Sequence, residues 1–207
     1  MFGDILDPTV KVIVVACCFI NAFIAKEGTV RGRRDQIILI IAMGLTLIAD
    51  TFMVLLHMNI AGLLFFCMVQ AVHNYRFTNY KRAITQIIMG AAMFAAAYLA
   101  GVGLIFALGA AYAVFLLFSV TGSFMAYHKY PKPNSFMIVA GMLLFMGCDI
   151  LVGLQYLQLD ALSGPNVQEY IQRGIWLFYF PAQALLSSSA RKNKDYKAED
   201  EQRRANR

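Results

Sequence analysis

Long apolar runs alternate with short charged segments along the whole chain. Seven runs, at about 8–25, 36–56, 60–76, 83–100, 104–126, 135–157 and 172–190, approach the ~20 residues a helix needs to cross a bilayer. The short alternating segments of a membrane β-barrel do not occur. The pattern predicts an all-α fold: a polytopic transmembrane helical bundle of seven spans, or eight if the Gly-rich fourth and fifth runs divide differently. One domain over 1–190 is expected, followed by a charged tail at 191–207.

The connections set an orientation. Asp4 and Asp7 open the chain where a signal peptide would be basic, so the first run is expected to remain as a helix. The first loop carries Lys26, Arg31, Arg33 and Arg34, the third Arg76, Lys81 and Arg82, and the fifth is His128-Lys129-Tyr130-Pro131-Lys132-Pro133-Asn134. The second, His57-Met58-Asn59, and the fourth, Gly101-Val102-Gly103, carry no Lys or Arg. The sixth holds Asp160, Gly164-Pro165 and Glu169. Because loops rich in Lys and Arg stay inside, the N-terminus is expected outside and the C-terminus in the cytoplasm.

Composition agrees. Of 207 residues, 59% are hydrophobic, too many for a polar surface to be built around a soluble core. The net charge of +6 raises a nucleic-acid reading, but loop positives beside membrane spans account for it, and no nucleic-acid partner is expected. An integral, multi-pass protein of a cell membrane follows, here expected in a bacterial cytoplasmic membrane. Cys17, Cys18, Cys67 and Cys148 all lie within apolar runs without metal-type spacing, which makes them packing thiols.

The polar residues inside the runs narrow the chemistry. Asp50 stands in Leu45-Thr46-Leu47-Ile48-Ala49-Asp50-Thr51-Phe52-Met53, and Asp149 in Leu144-Phe145-Met146-Gly147-Cys148-Asp149-Ile150-Leu151-Val152. An ionisable group within a membrane is costly and by default functional. Each lies about fourteen residues into its run, so at ~1.5 Å per residue both fall ~20 Å from the inner end. A purely structural carboxylate there would need a fixed cation, and no Lys or Arg is expected at their depth. Gln70, His73 and Asn74 share one face of the third helix, and Tyr179, Gln183 and Ser187 one face of the seventh. Asn21 and Tyr112 lie within the first and fifth, while Thr46 and His57 extrapolate to the Asp50 face. A polar-lined cavity ringed by lipid-facing side chains would gather these residues. The plainer reading has Asn21, Gln70 and Gln183 bonding neighbouring helices, His57 and His128 solvated at helix ends, and Ser187-Ser188-Ser189 packing as small residues.

HExxH, CxxC, GxSxG and glycine-rich phosphate loops are all missing, and three scattered histidines do not make a zinc site. No metal or cofactor is expected. Two carboxyl groups in an apolar pocket can share one proton and so supply an acid and a base. Such a pair suits reactions passing through an oxocarbenium ion, among them glycoside hydrolysis and vinyl ether cleavage.

The segment from Gly44 to Phe77, with Asp50, Gly62-Leu63-Leu64-Phe65-Phe66 and Gln70, resembles the first signature of the YhhN-like lysoplasmalogenases. Gly141 to Asp149, followed by Tyr179-Phe180-Pro181-Ala182-Gln183-Ala184-Leu185-Leu186, resembles the second. Rather less than half the chain carries the likeness. It implies a polytopic membrane hydrolase that cleaves the vinyl ether bond of lysoplasmalogen to a fatty aldehyde and glycerophosphoethanolamine or glycerophosphocholine. Asp50 and Asp149 would correspond to that family's catalytic pair. Gln70 stands where many members have histidine, Ala49 and Cys148 replace a Gly or Ser before each aspartate, and members are usually drawn with eight spans. Gln70, His73, Asn74, Tyr179, Gln183, Asn21 and Tyr112 are then the expected substrate-binding residues, with lysophospholipid and membrane lipids as partners. A proton- or cation-coupled transporter using the same aspartates is the alternative, supported by a faint repeat in which an Asp helix is twice followed by a Gln helix.

Overall fold

The computed structural model describes residues 8–24, 32–130, 132–156 and 165–191. Seven helices make up this part of the chain: α1 Pro8–Ile24, α2 Arg33–Asp50, α3 Asn59–Phe77, α4 Tyr80–Leu99, α5 Leu104–Ala126, α6 Asn134–Tyr156 and α7 Pro165–Ser188. A π-helical turn, Thr51–Leu55, continues α2. Lys26, Arg31, Pro131, Asp160, Gly164, the N-terminal aspartates and the tail beyond Arg191 lie outside the described residues.

α2 with its π turn, α4, α5 and α6 are each long and apolar enough to cross a membrane, and Thr9–Ile24 is a shorter apolar helix. The burial pattern is inside out relative to a soluble domain. Leu99 is 85% exposed and Leu177 71%, while Asp50, Gln70, Asn74, Gln86 and Ser119 are fully buried. Lipid, not water, is the medium such a surface suits. The chain is an all-α membrane protein.

Helix neighbours form a closed ring in the order α1, α2, α3, α5, α6, α7 and back to α1. α4 packs outside it against α5 and α3 and buries only Gln86 and Gly90. Interhelical hydrogen bonds tie the ring, each worth about 0.6 kcal/mol in a bilayer. Asn21 Nδ2 donates to Ser187 Oγ and Ser188 Oγ, both at 3.2 Å, joining α1 to α7. Asn134 Nδ2 donates to the carbonyls of Ser189 and Arg191, clamping the start of α6 to the end of α7. Asn74 Nδ2 donates to Gln86 Oε1 at 3.0 Å and Gln86 Nε2 to the Phe115 carbonyl at 2.8 Å, which fixes α4. Gly122 admits this arrangement, since a Cβ there would lie 2.8 Å from Asn74 Oδ1.

Several boundaries differ from the sequence expectation. α7 starts at Pro165, so Glu169 belongs to a helix and pairs with Arg173 one turn on. Proline suits a first helical turn, and the polar residues that lower local hydropathy do not prevent a helix beyond the apolar core. Arg76 is not a loop residue: it is buried in the last turn of α3. His57 does not share the Asp50 face. The π turn inserts an extra residue into the spiral, so the seven-residue step from Asp50 fails and His57 ends exposed with φ 54°. His128 is also exposed. The break at Gly101-Val102-Gly103 is as expected, with both glycines at positive φ. Cys18 and Cys148 are buried, but Cys17 is exposed on the lipid side of α1 and is no core thiol.

Candidate active site

Asp50 ends the regular part of α2 and is completely buried. The Tyr179 hydroxyl of α7 donates to its Oδ2. Its Oδ1 accepts no hydrogen bond from the described residues but lies 3.7 Å from the Lys11 ammonium of α1. Lys11 Nζ also sits over two rings, 4.9 Å from the centre of Tyr179 and 5.4 Å from that of Trp176. The expectation of no cation at this depth is therefore wrong. Lys11 stands one turn into α1, where a long aliphatic stem lets an ammonium reach into the bundle.

Asp149 on α6 accepts from the Tyr112 hydroxyl of α5, and Gln70 Nε2 of α3 reaches the same hydroxyl at 3.3 Å. Lys11 and Tyr179, both in contact with Asp50, line the same cavity as Asp149. The two aspartates, distant in sequence, thus meet in one cluster with Lys11, each capped by its own tyrosine. Their surroundings differ. A mostly apolar cavity of about 410 Å³ opens beside them, and Asp149, Lys11, Tyr112 and Tyr179 are on its wall whereas Asp50 is not. Small residues widen it between α5 and α6. A Cβ at Gly109 or Gly153, both lining residues, would meet nothing within 4 Å.

The other candidates divide. Tyr112 and Tyr179 line the cavity and hold the carboxyl groups. Gln70 stands behind Tyr112, anchored where Ser119 Oγ donates to its carbonyl at 2.6 Å. Gln183 is buried off the cavity wall, its Nε2 without a hydrogen-bond partner among the described residues. Asn21 and Asn74 are bound up in the helix ties described above and His73 stacks on Phe77 at 5.5 Å, so none of the three reaches the cavity. Thr46 bonds the Ala42 carbonyl of its own helix. Ser187 and Ser189 accept hydrogen bonds from Asn21 and Arg76, which goes beyond small-residue packing. No three His, Cys, Asp or Glu side chains among the described residues are grouped to hold a metal.

A second polar centre lies at the other end of α2. Arg76 forks onto Asp35, Nε to Oδ1 at 3.2 Å and Nη2 to Oδ2 at 3.0 Å, and its Nη1 donates to Ser189 Oγ at 2.9 Å. Tyr130 donates to Asp35 as well. Asp35 was hidden in sequence by the basic residues beside it, and Arg76 by its place at the end of an apolar run.

The model of the YhhN family matches residues 6–190, which include all seven described helices. The chain belongs to the YhhN family. That match spans both aspartate helices of this YhhN protein, and every tyrosine and lysine of its cluster. No curated protein and no solved structure matches it.

Proposed function

We propose that this YhhN protein is a membrane hydrolase that cleaves the vinyl ether bond of lysoplasmalogen, with seven spans and the N-terminus outside. The observation that carries the reading is a pair of carboxyl groups joined through Lys11 and Tyr179, which contact Asp50 and line the same apolar cavity as Asp149. The pair holds one proton. That proton passes to the alkenyl carbon remote from the ether oxygen, the π electrons form the new C–H bond, and an oxocarbenium ion results. Water adds to the oxocarbenium carbon and loses a proton to the vacated carboxylate. The hemiacetal then splits, its hydroxyl proton going to the departing oxygen, to give a fatty aldehyde and the glycerophospho-alcohol. General acid–base transfers of this kind contribute roughly 10²–10⁴-fold. Apolar walls suit the alkenyl chain, and inner-face lysines and arginines suit anionic headgroups.

The test is purified protein with lysoplasmenylethanolamine and a readout of fatty aldehyde. Release supports the hydrolase. Proton-driven solute uptake into vesicles with no aldehyde would favour a carrier instead.

The cavity shape gives a separate expectation. Gly153→Leu places an isobutyl group in the open space beside Asp149, so KM for a long-chain substrate should rise roughly tenfold or more, given the ~1–3 kcal/mol worth of one methylene in a pocket. A short-chain analogue should be affected less. Equal effects on both chain lengths would mean that the alkenyl chain lies elsewhere.

A further inference from the structure

Lys11 faces two carboxyl groups that differ in what surrounds them. Its ammonium lies 3.7 Å from Asp50 Oδ1 and is held over the Tyr179 and Trp176 rings, a placement that favours a cation and restrains its stem. Asp50 is behind the cavity wall, covered by Tyr179. Asp149 is on the wall, and its bonded partner is the neutral hydroxyl of Tyr112. Among the described residues lining the cavity, Lys11 is the one Lys or Arg and Asp149 the one Asp or Glu.

Charge counting in a medium that penalises net charge then separates the two acids. One ammonium balances one carboxylate. The neutral cluster holds Lys11 and Asp50 as an ion pair and leaves one proton for Asp149. A buried charge without its partner is far costlier than the pair.

We propose that Lys11 is a positioning residue: by neutralising Asp50 it leaves Asp149 as the carboxyl that alone exchanges protons with the substrate. This rests on the hydrolase reading for its chemistry, though not for the pairing itself. Asp149 gives its proton to the alkenyl carbon and later takes one back from water, while Asp50 keeps its charge throughout. The role of Asp50 is to cancel an ammonium that would otherwise oppose the positive charge developing on the oxocarbenium carbon.

A rescue follows that a direct role for Asp50 would not give. Asp50→Asn leaves Lys11 as an uncompensated cation on the cavity wall, and aldehyde release should fall by about 100-fold, in kcat more than in KM. Adding Lys11→Met to that variant removes the opposing charge and should recover at least about tenfold of the loss. Lys11→Arg keeps the cation and should lose less activity than Lys11→Met. Thermal unfolding in detergent reads the pairing without any substrate: each of Lys11→Met and Asp50→Asn should lower Tm, and the double variant should return towards wild type. A double variant as inactive as Asp50→Asn would overturn the division of roles, since Asp50 would then be needed for itself. A double variant with a Tm no higher than either single one would overturn the pairing. Wild-type protein that releases no aldehyde would sink the hydrolase reading instead, and the Tm series would still decide whether Lys11 and Asp50 act as one neutral unit.

Discussion

Asp149→Asn should reduce aldehyde release by roughly 10³-fold, within the range that positioned acid–base groups contribute. The substitution is close to isosteric, and an amide oxygen can still accept from Tyr112, which bonds Asp149 in the native cluster. What disappears is a proton that can be lost and regained beside the cavity. Lys11→Met should not restore it, because no opposing charge is at fault. Detergent-solubilised protein should elute and melt like wild type, so the loss falls on chemistry and not on folding. Activity above a tenth of wild type would mean that another group moves the proton.

The largest structural effect should come from the opposite end of α2. Arg76→Met removes the partner of Asp35 inside the bundle, where Arg76 is 3% and Asp35 7% exposed. Breaking a buried pair from one side costs about 3–5 kcal/mol, because the remaining charge keeps its desolvation penalty without its attraction. Tyr130 still donates to Asp35, which softens the loss without cancelling it. Ser189 loses a donor as well, so the junction of α3 with the end of α7 should loosen. A clear drop in Tm is expected, and replacing Asp35 by Leu in the same chain should win part of it back. An unchanged Tm would mean that water or lipid headgroups already satisfy these charges.

The helices were readable because a bilayer-spanning segment must be both long and apolar, and hydropathy reports both. Asp50 and Asp149 stood out for the same reason: a carboxylate among leucines has no ordinary explanation. The seam between them was harder. Lys11 is as unusual in its helix as either aspartate, yet its place near the helix end makes it resemble a residue of the interface, and linear spacing cannot show that its stem turns inward. Gln70 was legible as polar and buried, but not as the support of Tyr112. Asn74 and Asn21 have the same sequence signal as cavity residues, and only the helix neighbours reveal that they hold the bundle together. His57 failed through one turn of π-helix, which a regular 3.6-residue spiral cannot anticipate. Hydropathy places the start of α7 too late because it reads the lipid-buried part of a helix and not its polar beginning.

The most direct measurement is the hydrolysis of lysoplasmenylethanolamine by the purified protein in D₂O, with immediate borohydride trapping of the aldehyde. Protonation of the vinyl carbon by an exchanged carboxyl group should leave one deuterium on the carbon next to the carbonyl in the wild-type product, and Asp149→Asn should yield roughly 10³-fold less of that labelled aldehyde. Aldehyde without that deuterium, or no aldehyde at all, would contradict a carboxyl-driven cleavage of the vinyl ether.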